Sequence, residues 1–332
     1  MTRRPHFDFL VSSCVKDGGV YHLALYTDGT IELINKLTMD SPMYIATEGE
    51  KLYALLRKPF ADTPYSAVAV YDFASLKQLG NIISTQGEIG CHISVADGNV
   101  YVANYASGNI IKADGKLVTH EGHGVNKIRQ SAPHPHSVFI SPDKEHVICC
   151  DLGIDTLFVY TRDLEPVSKA TVPSGSGPRH LCFSKCGRFI YCINEMGGSV
   201  SIFSFNSGDI KHLNTIPLTE KTPDNQGHET TDFASAAIKI SDDGKYAYVT
   251  ERLSKSIIIL EANGAKMKVI TSVSSHGCEP RDFSLIGDGS FAICANQFSN
   301  NISAYKINEK GIPEYLKSFD IPAPLCVIPA PC

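Results

Sequence analysis

Apolar residues alternate with polar or small ones over short stretches such as SVSIF and YAYVT, broken by Asp97-Gly98, Asp243-Gly244 and Asp288-Gly289. A period of two, rich in β-branched and aromatic residues and punctuated by Asp-Gly turns, predicts strands. Helical periodicity is essentially absent, so the pattern predicts an all-β protein.

The strands come in a recurring block of strand, turn, second strand ending in polar residues, then third strand. It reads PHSVFISPDKEHVICCDLGIDTLFVY from Pro135, PRHLCFSKCGRFIYCINEMGGSVSIF from Pro178 and PRDFSLIGDGSFAICANQFSNNISAY from Pro280. Further copies start at Ser235 and Gly90, and the first complete one at Pro42. Aligned on the residue before the first strand, the starts are Met43, Cys91, His136, Arg179, Ala236 and Arg281, roughly 43 to 57 residues apart, the spacing of propeller blades. A seventh start, Leu325, leaves one strand before the chain stops. The N-terminal runs from Phe7, Val20 and Gly29 match the missing second, third and outer strands. Closing the ring with both termini removes two open sheet edges. Residues 1–332 are therefore expected to form one seven-bladed β-propeller domain.

Composition removes several alternatives. The net charge is −5 with no Lys/Arg block, so a nucleic-acid partner is not expected. No apolar run approaches the roughly 18 residues needed to span a bilayer, so neither is a membrane. The start, MTRRPHFDFLVSSC, lacks the long apolar segment of a secretory leader. The eleven cysteines are odd in number, and most sit in apolar runs such as HVICC, FIYCI and FAICA, where cysteine acts as a small buried hydrophobe. A cytoplasmic protein is expected, and monomer and homodimer both fit. GxSxG elbows, phosphate-cradling glycine loops and HExxH helices do not occur: His228-Glu229 lacks a second histidine, and Cys182 and Cys186 have no matching pair. No metal or cofactor is expected.

Equivalent positions of the innermost strands ring one mouth of the central channel. One ring holds Met43, Cys91, His136, Arg179, Ala236, Arg281 and Leu325; a second, about sixteen residues later at the end of each second strand, holds Tyr105, Leu152, Glu195, Arg252 and Gln297. Just before the second ring stand Asn104, Asp151, Asn194, Glu251 and Asn296. Asn and Asp at such places commonly cap strand ends through local backbone bonds. His136, Arg179, Glu195 and Arg252 change from blade to blade and so mark an asymmetric site. His180, next to Arg179, is expected on the opposite face of its strand, as packing. The loop HEGHGVNKIRQSAPHPH, with His120, His123, Lys127, Arg129 and His134, enters the same mouth as either a lid or a solvated loop.

HPHSV at His134–Val138 followed by DLGID, GPRH at Gly177–His180 followed by INE at Glu195, and EPRDF at Glu279–Phe283 followed by ANQ at Gln297 resemble the lactonase seven-bladed propeller family, over nearly the whole chain. That family includes propeller-type 6-phosphogluconolactonases and carboxymuconate cyclases. The resemblance implies a catalytic set of His136, Arg179, Glu195 and Arg252. One departure is Thr250-Glu251-Arg252, where the family often has Asn-Arg; the added carboxylate is expected to disfavour a highly anionic substrate.

Hydrolysing a lactone takes an activated water, a stabilised oxyanion and a proton for the leaving alkoxide. Either Glu195 or His136 fits the general base, and Arg179 and Arg252 fit the oxyanion and a phosphate or carboxylate. Arg281, His134, Asn194 and Gln297 are the candidate substrate-binding residues. The partner expected is a small anionic lactone. A cyclase that closes a muconate to a lactone, and a non-catalytic scaffold, are the alternative readings.

Overall fold

The computed structural model describes residues 5–57, 60, 62–113, 115–218 and 233–331; His228 and Glu229 lie outside them. Seven four-stranded antiparallel sheets form the blades. Their innermost strands are Pro42–Glu48, Gly90–Ala96, Pro135–Ile140, Pro178–Phe183, Ser235–Ile240, Pro280–Ile286 and Pro324–Pro329, each packed beside the next around a ring. The last is the closing strand. It pairs antiparallel with His6–Ser13, which continues into Gly19–Tyr26 and Ile31–Leu37, so one blade takes strands from both ends of the chain, as the truncated seventh repeat predicts. The only helical element among the described residues is a single 3-10 turn, Leu152–Ile154, and no helix is long and apolar enough to cross a membrane.

Blades hold together through apolar side chains at repeated positions. Tyr53, Tyr101, Tyr191 and Tyr248 all stand three residues before the end of a second strand and are buried. Such rings bury about 150–250 Å² each, the main source of attraction between sheets that share no ladder. The hydroxyls of Tyr101 and Tyr191 cross to the next blade, donating to Arg162 O at 2.7 Å and Gly264 O at 2.9 Å.

A bulge in each innermost strand creates the mouth. In the Pro178–Phe183 strand, Pro178 pairs with Asn194 and His180 with Ile193, leaving Arg179 without a partner. The same slip leaves Met43, Cys91, His136 and Arg281 unpaired, sets Leu325 between paired neighbours, and skips both Ala236 and Ala237. An extra residue in one strand bends it and re-aims the side chain it carries. The ring read from the repeat is thus the set of bulge residues, turned out of the ladder towards the channel mouth.

The bulge also overturns the argument from a two-residue period at His180. Two successive residues, Arg179 and His180, escape simple alternation. His180 is buried not inside the blade but across the channel, its ring 5.4 Å from His136, 5.1 Å from His92 and 6.0 Å from Tyr44.

Candidate active site

Each second strand ends on a residue whose backbone N–H donates to the carbonyl just before the neighbouring innermost strand. Glu195 N bonds Gly177 O at 2.8 Å, Gln297 N bonds Glu279 O at 2.9 Å, and the same bond is made by Cys14, Arg57, Tyr105, Leu152 and Arg252. Gly177 and Glu279 meet it in the left-handed region, at φ 65° and 60°, which turns the chain sharply into the strand. The second ring is therefore a built feature of every blade. It includes Arg57, which a fixed offset of sixteen residues misses. The first hairpin turns on only Gly49 and Glu50, with Glu48 paired to Lys51, so the ring residue comes fourteen after Met43, as Tyr105 does after Cys91. Counting back from the strand end instead of forward from its start finds it.

Four arginines converge on two carboxylates. Glu195, only 5 % exposed, receives Arg129 Nη2 at 2.6 Å and Arg252 Nη2 at 3.1 Å on Oε1. Arg179 Nε lies 2.9 Å from Oε2, close enough to pair charges though its N–H is not aligned on the oxygen. Arg252 also donates through Nη1 to Glu279 at 2.9 Å, and Arg281 Nη1 stands 3.5 Å from the same oxygen. Backbone carbonyls orient two of the forks: Arg179 Nη1 donates to Ala236 O at 2.6 Å and Arg252 Nε to Ala234 O at 2.7 Å. The cluster keeps a formal excess of positive charge, reinforced by Arg57, whose charge is felt at Arg281 and Cys91.

Burial and mutual repulsion set the protonation states. Burial, then the Arg281 charge, brings the Arg179 guanidinium down to about 10 against the pull of Glu195, and Arg281 is lowered by burial and by Arg252. Burial pushes Glu195 up, but the charges of Arg252, Arg179 and Arg129 together outweigh it and hold the carboxyl well below its usual range. His136 is buried, its Nδ1 has no partner, and burial with the nearby Arg179 keeps the imidazole neutral, far below its ordinary value. A buried carboxylate, a neutral imidazole and a surplus of forked cations together suit transfer of a proton beside a developing oxyanion.

The structure gathers His136, Arg179, Glu195, Arg252 and Arg281 as the sequence arranges them, and adds Arg129, Tyr105 and Glu279. Arg129 arrives on the loop after Thr119, which is neither free nor merely solvated. His120 anchors one end, with Nδ1 2.6 Å from Asp151 Oδ2 and Nε2 2.8 Å from Tyr160 Oη. Gln130 anchors the other, donating to Leu152 O and Asp155 Oδ1. Between them Asn126 Oδ1 accepts from the N–H groups of Ile128 and Arg129, forming one turn that aims Arg129 at Glu195 and at the Tyr105 hydroxyl. His134 stacks on Tyr105 with ring centroids 4.4 Å apart, and its Nδ1 lies 2.9 Å from Tyr105 O. Gln297 reaches the ring through its backbone bond to Glu279.

Two expectations change. Asn194 faces away from the cluster: fully buried, it donates through Nδ2 to the hydroxyls of Ser199 and Ser201 and ties its strand to the next. Glu251 likewise turns from the mouth, its carboxylate accepting from Ala234 N at 2.8 Å and Ser254 N at 2.6 Å. Both belong to the capping column with Asn104, Asp151 and Asn296.

Comparison with known proteins identifies the family. Residues 8–329 match the model of the lactonase family described as a seven-bladed β-propeller. The 6-phosphogluconolactonase of Bacillus subtilis is 28 % identical over 92 % of this chain and 97 % of its own length. A crystal structure of a putative 6-phosphogluconolactonase from Bacteroides uniformis is 26 % identical, with a TM-score of 0.85 covering 97 % of this chain and 99 % of that one. The periplasmic gluconolactonase of Pseudomonas aeruginosa, at 24 % identity and a TM-score of 0.85 over 99 % of this chain and 100 % of its own, shares the fold. The match over nearly the whole chain, on a seven-bladed fold, makes this chain a member of the seven-bladed β-propeller lactonase family.

Proposed function

We propose that the protein hydrolyses the lactone of a sugar acid carrying an anionic group, as in 6-phosphogluconolactone. The observation that carries this reading is the convergence of Arg129, Arg179, Arg252 and Arg281 on only two carboxylates, Glu195 and Glu279, beside a neutral His136. Forked guanidiniums grip a phosphate or carboxylate through two oxygens at once.

In this reading the arginines on the loop and rim take the anionic group, which leaves the lactone carbonyl near Arg179. Glu195 accepts a proton from a water as that water attacks the carbonyl carbon. Arg179 and Arg252 stabilise the tetrahedral oxyanion, buried where charge interactions are strong. On collapse the ring C–O bond breaks, and the departing alkoxide takes the proton from Glu195, passed through His136. Glu195 is assigned as the base because it is the anionic group set among the arginines that bind the substrate and the oxyanion, whereas His136 is neutral and buried. No step uses a metal.

The test is turnover of a panel of sugar lactones, with and without phosphate, and of muconates, after subtraction of spontaneous ring opening. Glu195→Gln and Arg179→Ala are each expected to lose at least about a hundredfold in kcat. Unchanged turnover in both variants overturns the mechanism, turnover of muconates alone makes the enzyme a cyclase, and no turnover of any substrate leaves a binding platform.

A further inference from the structure

The ion pair between Arg129 and Glu195 raises a problem for the chemistry above. A carboxylate on which three arginines converge is a poor base, because every proton it takes must be won against their charges. Two of the three are fixed: Arg179 and Arg252 have side chains 3 % and 11 % exposed and are tied to the carbonyls of Ala236 and Ala234. Arg129 is different. Its side chain is 43 % exposed, no backbone carbonyl among the described residues holds it, and its partners are Glu195 and the Tyr105 hydroxyl. The loop apex around it is open too, with Val125 65 % and Ile128 87 % exposed, while His120 and Gln130 pin its two ends. The backbone is held and one long side chain is free to change partner.

We infer that Arg129 is an exchangeable clamp on Glu195, which an anionic substrate draws onto itself, so that the carboxylate becomes a competent base only when that substrate is bound. The inference rests on the lactonase reading and on Glu195 as its base. The other groups facing Glu195, namely Arg179, Arg252, Arg281, His136 and Tyr105, stay in place during the exchange. The site thereby favours a charged lactone twice, by binding it and by being switched on by it, and a neutral lactone meets a clamped base.

The consequence is a crossing of signs that a merely structural Arg129 does not produce. Arg129→Leu should lower kcat/KM for a phosphorylated sugar lactone by roughly 10- to 100-fold, the loss of one charge-assisted contact. The same variant should raise kcat for the unphosphorylated lactone severalfold, since the clamp has gone. Inorganic phosphate added to the wild-type enzyme should activate turnover of the neutral lactone, and should fail to activate Arg129→Leu. Arg129→Lys, which keeps the charge, should restore most of the discrimination. Equal loss on both lactones, or equal activation by phosphate in wild type and Arg129→Leu, overturns the clamp while leaving the lactonase reading intact. If Glu195→Gln turns over both lactones at the wild-type rate, the fault lies with the base assignment instead. Thermal unfolding of each variant shows that the fold survives.

Discussion

Two columns of the repeat, one residue apart at the end of each second strand, behave in opposite ways. The capping column, Asn104, Asp151, Asn194, Glu251 and Asn296, turns inward and spends its polar atoms on nearby backbone and hydroxyls. The mouth column, Cys14, Arg57, Tyr105, Leu152, Glu195, Arg252 and Gln297, is placed by the same backbone bond in every blade, yet mixes thiol, cationic, aromatic, aliphatic, acidic and amide side chains, with only arginine recurring. The repeat keeps an Asn, Asp or Glu at the capping position in five blades, where it closes the strand end, while Ser13 and Leu56 stand there in the other two. It diversifies where the seven blades build one asymmetric object between them. Side-chain polarity therefore separates the columns poorly, and variation in type separates them well.

The largest stability effect expected from this contrast falls in the capping column, at Asp151. Its carboxylate is fully buried and accepts from His134 N at 2.7 Å and Gly153 N at 2.9 Å, with His120 Nδ1 2.6 Å from the other oxygen. Asp151→Ala strands two buried N–H groups and an imidazole, and should cost roughly 3–5 kcal/mol. Asp151→Asn, which keeps an acceptor, should recover part of that. Urea unfolding measures the loss, and any fall in kcat per folded molecule should track loss of the Arg129 loop's anchor, so that it matches the effect of removing Arg129 rather than that of Glu195→Gln. A variant that folds as well as wild type but loses turnover to the extent that Glu195→Gln does would move Asp151 from the capping column to the site.

How much of this was legible in the sequence follows from what a repeat records. Seven blades, the shared closing blade and the ring of His136, Arg179 and Arg281 are all features of alignment, and the structure has them where the alignment puts them. Arg57, fourteen residues after Met43 just as Tyr105 is after Cys91, was equally legible at that place in the repeat and was left out of the ring. Arg129 was placed at the mouth but its role was left open, because it sits outside the repeat on a loop whose course depends on buried anchors, His120 to Asp151 and Gln130 to Asp155, that pair residues far apart in the chain. The direction of His180 was misread because alternation assumes an unbroken ladder, and the bulge breaks it at that residue.

Acid should sharpen the same contrast, because three buried imidazoles face the channel. Burial, with the nearby positive charges of Arg179 and Lys239, holds His92 and His180 well below the ordinary 6.5, and burial with Arg179 does the same for His136. Folding therefore excludes protons that the unfolded chain accepts. Stability is complete above about pH 6.5 and falls as the pH drops below it, by up to about 1.4 kcal/mol per histidine per pH unit. Unfolding midpoints between pH 7 and 5 should show the slope, and His180→Gln should reduce it by about a third. Parallel slopes in wild type and variant would mean that His180 is protonated in the folded protein.

The smallest effect tests whether the capping column is as purely local as its bonds suggest. Asn194 lies beside Glu195 in sequence, yet its amide bonds Ser199 and Ser201 in the adjoining strand, and its Oδ1 has no partner. Asn194→Ala removes two hydrogen bonds and one unsatisfied buried oxygen at once. The net cost should be only about 1 kcal/mol, because losing the bonds is partly offset by no longer burying that oxygen. The strand end keeps its course through the Glu195 N–H to Gly177 O bond, which needs no side chain, so KM and kcat should match wild type. If kcat instead falls with that of Glu195→Gln, the two columns are coupled, and the position of Glu195 depends on its neighbour's side chain as well as on the backbone.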